Sequence, residues 1–335
     1  MNYHYFGKTG FQVSEICLGT MTFGNEADEK TSGKLMDMAV DAGVNFFDTA
    51  DVYNKGETEN IIGRWMGDKR DSIVLATKTH YPTGGGINDK GSSRRHIMLG
   101  VEASLKRLKT DYIDILYLHH WDEHTDLEIT LSALNDLVAQ GKILHVAVSN
   151  FSAWQTAKTI QVAQHRGWAP VVAIQPMYSL IKRVAEIEIF PMAKEENIAI
   201  CPYSPMGAGM LTGKYHRKEE GRITQNKMYI ERFKNPEYME TAGKFVKYAE
   251  KHAHHPASLS VKWAAAHPLV TSAIVGCWNP AQLELALQSQ EIDLTPEQRD
   301  EITALSPTPP SATDREDRTL LSITNKSDRE SKLCS

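Results

Sequence analysis

Residues 110–152 read TDYIDILYLHHWDEHTDLEITLSALNDLVAQGKILHVAVSNFS. Two apolar, β-branched-rich runs, one from Ile113 and one from Ile143, enclose a segment in which Leu127, Leu131, Leu134 and Val138 recur at helical spacing. That order, strand then helix then strand, is the unit of a parallel sheet. Immediately beyond it, Ser152 and Gln155 form a capping-box pattern, so the next helix opens directly after Ser149 and Asn150.

The same unit repeats along the chain. Strands are predicted to begin near Ile16, Val44, Ile73, Ile113, Ile143, Val171, Ile198 and Ser272, at intervals of 28, 29, 40, 30, 28, 27 and 74 residues. Eight strands at such spacing predict a closed (β/α)8 TIM barrel rather than an open doubly wound sheet, and 335 residues suit one barrel with long loops. A second helical stripe, Ile97, Val101, Leu105 and Leu108, belongs to its outer ring. The two long intervals place extended loops after the third strand, at 79–96 with Gly84, Gly85 and Gly86, and after the seventh, at 204–271. Residues 1–14 read as a short hairpin that plugs the barrel floor, and the barrel is expected to end near residue 306. From 307 to 335 the chain is polar, with Leu320, Leu321 and Ile323 as its anchors; it reads as a loose tail, with a flap over the pocket as the alternative.

Composition excludes several classes. At 41% apolar and 24% charged residues the chain has the means to bury a large core. Its net charge of −5 and the lack of any basic block beyond Arg94-Arg95 and Lys182-Arg183 argue against nucleic acid as a partner. No run approaches the roughly 20 apolar residues of a membrane span, and the opening MNYHYFGKTG lacks a signal peptide's apolar core, so a cytoplasmic location is expected. Cys17, Cys201, Cys277 and Cys334 lack metal-like spacing and read as reduced thiols. Ser331-Lys332-Leu333 is not terminal and is no peroxisomal address.

Four polar residues stand at or just beyond predicted strand tips: Asp48 after VNFF, Tyr53 five places on, Lys78 closing IVLATK and His119 closing IDILYLH. In a barrel those tips share one mouth. A Tyr hydroxyl, with an ordinary pKa near 10, is a weak acid at neutral pH. A neighbouring ammonium favours its phenolate, a carboxylate holds the ammonium, and an imidazole hydrogen-bonds a carbonyl oxygen. Asp48, Lys78, Tyr53 and His119 in those roles make an acid catalyst for carbonyl reduction. His120 would point away from His119 on an alternating strand. A metal-dependent hydrolase is the rival reading of the His pair, but it needs further ligands that strands one and five to eight do not offer, so no metal is expected.

No GxGxxG follows the first strand, and Gly207 to Lys214 fits neither that pattern nor the phosphate-binding GxxxxGK[ST]. The better phosphate seat follows strand eight, where Gly276-Cys277-Trp278-Asn279-Pro280-Ala281-Gln282 predicts a helix start with Asn279 as N-cap and Pro280 at N1. Lys214 and Arg222 would bring positive charge to it.

Across about residues 1–305 the chain resembles the aldo-keto reductases. The resemblance is carried by GKTGFQVSEICLGTMTFG, FFDTADVYNKGETENIIGRWM, LATK, TDYIDILYLHHWD, LHVAVSNFS, IQPMYSL, YSPMGAGMLTGKY and AIVGCWNPAQLELAL, in order. It implies an NADPH- or NADH-dependent interconversion of aldehydes or ketones and alcohols, NADPH being preferred, with the family's tetrad on Asp48, Tyr53, Lys78 and His119. It also implies that Ser149, Asn150 and Gln175 hold the nicotinamide carboxamide and Tyr203 stacks on its ring. Thr20 and Met21 would line the cofactor from the first loop, and Ser204, Met206, Gly209 and Lys214 would meet the pyrophosphate. Gln282 and Arg222 match the family's adenosine-phosphate site beside Gly276. Trp278, Leu285 and Ala286 depart from it, which leaves acceptance of NADH open and suggests that Trp278 stacks on adenine. The motifs are most similar to microbial aryl-alcohol dehydrogenases and sugar ketoreductases, and more distantly to potassium-channel β subunits. The channel likeness carries the alternative of a cofactor-sensing regulatory subunit. Phe23, Tyr53, Tyr81, His119, Trp121 and the loop at 204–235 are expected to line the substrate pocket, favouring aromatic or bulky carbonyls.

Overall fold

In a computed structural model, which describes residues 1–313, the chain opens with a two-stranded antiparallel hairpin, β1 (Tyr3–Tyr5) and β2 (Gln12–Ser14), with Tyr3 opposite Ser14. The repeating part then runs β3 (Ile16–Gly19), α1 (Glu29–Asp41), β4 (Phe46–Asp48), α2 (Glu57–Met66), β5 (Val74–Thr79), α3 (Arg94–Leu108), β6 (Ile113–Leu118), α4 (Leu127–Ala139), β7 (Ile143–Ser149), α5 (Ala153–Arg166), β8 (Val171–Gln175), α6 (Ile189–Glu196) and β9 (Ala199–Ile200). A four-helix insertion follows: α7 (Arg222–Gln225), α8 (Lys227–Arg232), α9 (Pro236–Lys251) and α10 (Pro256–Ala265). The chain returns through β10 (Ala273–Gly276) to α11 (Pro280–Leu287) and α12 (Pro296–Thr303).

All eight strands from β3 to β10 are parallel, in the order β10-β3-β4-β5-β6-β7-β8-β9. The last seam is short. Tyr203 bridges Ile274, and the Ile274 amide donates to the Pro202 carbonyl at 2.9 Å, which brings the β9 segment beside β10. This is the (β/α)8 barrel that the strand spacing predicts, with strand starts displaced by no more than two residues.

Period-two alternation sorts the strands' side chains into two cores. Leu18, Phe47, Leu75, Leu116, Leu118, Val146, Val148, Ile174 and Val275 face the helices. Cys17, Phe46, Ala76, Tyr117, Ala147, Ala173, Cys201 and Ile274 form a separate cluster inside the barrel. The hairpin closes the bottom of that cluster with Phe6 and Val13, both wholly buried. Gly7 lets it approach: its φ is +55°, and a Cβ there would stand 3.0 Å from the Val172 carbonyl oxygen.

The helix starts predicted from sequence form as capped ends. Ser152 and Gln155 make a reciprocal capping box on α5, and the Asn279 side chain accepts from the Gln282 amide at the head of α11. Gln282 differs from a capping-box partner: its side chain accepts from the Trp278 amide instead. His255 caps α10 and His252 bonds the Tyr248 carbonyl, so neither belongs to a cluster of ligands. The loop after β5 is more organised than its glycines suggest, because Asp122 accepts from the Ser92 and His124 amides and the Thr125 hydroxyl, tying that loop to the one after β6. Cys17, Cys201 and Cys277 are buried free thiols. The anchors at Leu320, Leu321 and Ile323, the covering role of the tail and Cys334 lie outside the described residues.

Candidate active site

Two residues beyond each inward-facing residue, the same alternation supplies the top layer of the barrel. Cys17 leads to Gly19, Phe46 to Asp48, Ala76 to Lys78, Tyr117 to His119, Ala147 to Ser149, Ala173 to Gln175, Cys201 to Tyr203 and Ile274 to Gly276. Seven of these eight line one cavity of about 650 Å³, and Lys78 lies fully buried beneath it.

Tyr53 is the member of the foursome that no strand presents. It is brought in by the loop after β4, whose Thr49 and Asp51 amides donate to the Ala76 and Lys78 carbonyls of β5. The Lys78 ammonium makes three contacts: 2.5 Å to Asp48 Oδ2, 2.8 Å to the Thr49 carbonyl and 3.4 Å to the Tyr53 hydroxyl. Asp48 Oδ1 accepts from Gln175 Nε2 at 2.8 Å. A chain of polar contacts therefore runs Gln175, Asp48, Lys78, Tyr53.

The electrostatics qualify the sequence expectation for Tyr53. Lys78 does pull the phenol down, but burial, assisted by Asp48, outweighs it and the hydroxyl lies above its ordinary value. It is therefore protonated at neutral pH. Burial opposes the charged form of Lys78 too, yet Asp48 and Tyr53 more than offset it, and the ammonium is held above its usual range. Burial, with Lys78, His80 and His120 adding positive charge nearby, drives His119 well below the usual imidazole value. His119 is neutral. Its Nδ1 is buried without a partner, and its ring stands edge-on to Tyr53 at 6.0 Å and to Tyr81 at 4.7 Å.

The next turn of the rim is rigidly braced. Asn150, at φ +58°, donates to the His119 carbonyl at 2.9 Å and accepts from the Tyr203 hydroxyl at 2.7 Å. The Ser149 hydroxyl donates to the Gln175 carbonyl. Ser204 follows Tyr203 at φ +62°, another backbone conformation that a non-glycine residue holds only under constraint. Thr20 and Met21 line the wall beside Asp48, and the Thr20 hydroxyl and amide both bond the Asp48 carbonyl.

From there the cavity extends toward β10 and α11. Ser204, Met206, Gly209, Lys214 and Arg222 line one side, and Gly276, Trp278 and Gln282 the other. Lys214 lies in a slot, its Nζ 4.9 Å from the Tyr215 ring centroid and 5.3 Å from that of Trp278. Gly209 and Gly221 make the slot: a Cβ on Gly221 would meet Lys214 Nζ at 2.3 Å. Asp48 and Glu219 are the acids of this lining, and each is paired, Asp48 with Lys78 and Glu219 with Arg217. Among the described residues no acid stands within ion-pair distance of Lys214, Arg222 or Arg232.

Two residues expected in the substrate pocket are elsewhere. Phe23 is wholly buried in the outer core, where its carbonyl accepts from the Thr58 hydroxyl. Trp121 turns away from the cavity and packs edge-on against Phe151 and Trp154, because its neighbour Asp122 is tied down onto the loop after β5. Tyr81 does line the cavity. His120, expected to point away from His119, is exposed at the rim with Nδ1 on the Trp121 carbonyl, though it too borders the opening. Met228, Tyr229, Arg232 and His255 also line the cavity and were not individually foreseen; the length of the seventh loop was their one signal. Among the described residues no three His, Cys, Asp or Glu side chains are grouped to hold a metal.

Comparison with known proteins identifies the family. Residues 15–307 match the model of the aldo/keto reductase family. The chain is 36% identical over 309 residues to "Uncharacterized oxidoreductase YrpG" of Bacillus subtilis, covering 89% of this chain and 93% of that protein. It is 33% identical over 329 residues to "Probable voltage-gated potassium channel subunit beta" of Oryza sativa, covering 94% and 99%. "Norsolorinic acid reductase B" of Dothistroma septosporum is 38% identical over 245 residues, 68% of this chain and 61% of the fungal protein. With the barrel and these matches in agreement, the chain belongs to the aldo/keto reductase family of oxidoreductases.

Proposed function

We propose that the chain reduces aldehydes and ketones to alcohols, and catalyses the reverse, with NADPH as the preferred nucleotide. The observation that carries this reading is the Lys78 ammonium set between Asp48 and the Tyr53 hydroxyl at the floor of the cavity. The cavity suits a dinucleotide: two rim side chains at strained φ, a glycine slot for Lys214 and two unpaired cations lie between the tetrad and the capped start of α11. When bound, a reduced nicotinamide supplies the hydride.

The protein's part is the proton and the placing of the carbonyl. Tyr53, protonated at neutral pH, donates to the carbonyl oxygen. Lys78 stabilises the phenolate as it forms, and Asp48 with Gln175 keeps Lys78 in place. His119, being neutral, serves as a hydrogen-bonding group that orients the oxygen rather than as a second acid. Ser149, Asn150 and Gln175 sit where a carboxamide would be held, Tyr203 offers a ring face, and Lys214 with Arg222 meets phosphate charge. Trp278 against Lys214 gives adenine an aromatic wall. Among the described residues no helix is long and apolar enough to cross a membrane; action in the cytosol is part of this proposal.

The test is NADPH and NADH oxidation with a panel of aromatic aldehydes, aliphatic ketones and sugars, alongside fluorescence titration of both nucleotides. Turnover with a preference for NADPH is expected. Tight nucleotide binding without turnover of any carbonyl would favour the second reading, a nucleotide-binding regulatory subunit, which the likeness to the rice channel subunit over nearly its full length keeps open.

A further inference from the structure

Three cations that line the cavity, Lys214, Arg222 and Arg232, have no ion-pair partner among the described residues. Lys214 leans on Trp278, far along the lining toward α11, and Arg222 lies 5.4 Å from the Tyr229 ring centroid. Those two are the cations assigned above to the phosphates of a nucleotide. The third unpaired cation, Arg232, has its guanidinium 5.6 Å from the same Tyr229 ring. Arg232 ends the short helix α8, which Asn226 caps, and its carbonyl is held by the Lys182 ammonium at 3.0 Å.

Several observations put Arg232 toward the tetrad. It lines the cavity with Tyr53, Tyr81, Tyr203 and Tyr229. Burial pushes the Tyr203 phenol up to about 12, and Arg232 is the charge that most opposes that rise. Tyr203 in turn is bonded to Asn150, which holds the His119 carbonyl. The guanidinium lies over the Tyr229 ring, shares the cavity with three further phenols and has no carboxylate partner among the described residues. Aromatic walls take a planar ring, and an Arg without a partner takes a carboxylate or phenolate, for which its planar fork is suited.

We propose that Arg232 makes this cavity selective for carbonyl substrates that are aromatic and anionic, with the negative group held away from the carbonyl that meets Tyr53 and His119. This rests on the reading of the cavity as a carbonyl reductase site and names the substrate class that site selects. Arg232 acts on specificity through the substrate's charge, so its effect falls on KM for charged substrates.

The experiment compares 4-formylbenzoate with its methyl ester, which share a ring and a reactive aldehyde and differ in charge. The intact protein is expected to favour the acid by tenfold or more in kcat/KM, mainly through KM. In Arg232→Gln the acid-to-ester ratio should fall to about one, and Arg232→Lys should retain part of it. Equal use of acid and ester by the unaltered protein overturns the proposal, as does a ratio that survives in Arg232→Gln. So does a loss of NADPH affinity in Arg232→Gln large enough to make Arg232 a nucleotide contact. Binding of the product 4-(hydroxymethyl)benzoate to the NADP+ complex is read separately by fluorescence. If neither aldehyde turns over but this acid still binds in an Arg232-dependent way, the reductase reading fails while the anion preference stands; if it does not bind, the preference fails as well.

Discussion

The two ends of the cavity handle charge in opposite ways. At the tetrad end the lysine, its carboxylate and the phenol form a closed set: Lys78 has three acceptors, and Asp48 holds both Lys78 and Gln175. At the end built by the seventh loop, Lys214 and Arg222 line the cavity without an ion-pair partner among the described residues, Glu219 being taken by Arg217. A closed set is a finished tool, with its protonation states decided before a ligand arrives. An open set is destabilising until a ligand brings the anions, so binding energy is gathered there and chemistry is done at the other end.

The sharpest break in that contrast is Tyr53→Phe, which removes the proton donor and leaves the cation end intact. We expect kcat to fall by about 1,000-fold, within the range for a lost general acid, while NADPH affinity measured by fluorescence stays within a few-fold. Carbonyl reduction close to that of the unaltered protein would remove Tyr53 from its role. Lys78→Met next opens the closed set. It strands the Asp48 carboxylate under the barrel mouth and should cost about 3–5 kcal/mol in urea unfolding, the usual penalty for breaking a buried pair. The double variant Asp48→Asn with Lys78→Met should recover much of that stability but none of the activity. If the double variant unfolds as readily as the single one, the closed set is not a paired charge.

Asp51 is the exception at the tetrad end, and it sharpens the comparison. It is 2% exposed, neither carboxyl oxygen has a well-formed hydrogen bond, and burial and the neighbouring Glu59 carboxylate raise it to about 7, with Arg107 and weaker contacts from the Thr79 hydroxyl and the Val52 amide opposing. Glu59 itself is taken by Arg107 and the Thr77 hydroxyl. The folded value lies above the ordinary 3.8, so the folded protein keeps a proton that the unfolded chain has released. The stability this contributes is complete below pH 4 and lost as pH rises through 7. The gap, at about 1.4 kcal/mol per pH unit, sets a ceiling of about 4 kcal/mol. Asp51→Asn should therefore melt higher than the unaltered protein, with the advantage growing between pH 5 and pH 8. An advantage independent of pH would mean that Asp51 has a counter-charge after all.

The smallest effect belongs to the open end. Lys214→Ala should weaken NADPH about tenfold or more, as expected for one charge-assisted contact, and should make the dissociation constant less sensitive to salt. Unchanged salt dependence would show that the slot between Gly209 and Gly221 does not present Lys214 to phosphate.

The barrel was legible because its signals are local. Strand spacing gave eight units, and a strand's alternation decides which side chain reaches the mouth: counting two residues from Phe46, Ala76 and Tyr117 arrives at Asp48, Lys78 and His119. Tyr53 lies in a loop but is brought to Lys78 by backbone bonds to β5, and it was found from its chemistry and its motif. Phe23 and Trp121 were misplaced because alternation stops at the strand tip; beyond it, a hydrogen bond such as Asp122 to the Ser92 amide decides which way a ring turns. Arg232, Met228 and Tyr229 were legible only as part of the loop at 204–235, and not one by one, for a related reason. They belong to an insertion of short helices whose orientation depends on what they pack against.

By itself, then, the sequence determined the barrel and the residue types of an acid catalyst at its strand tips, since periodicity and spacing are written in neighbouring residues. The tertiary structure decided the protonation of that catalyst. Lys78 lowers the Tyr53 phenol, as its charge requires, but burial raises it further. Desolvation depends on every segment that shuts out water, and pairing on which charges meet across the mouth. Both are long-range quantities, and so the buried Asp51 carboxyl and the unpaired Arg232 emerged only from the folded molecule.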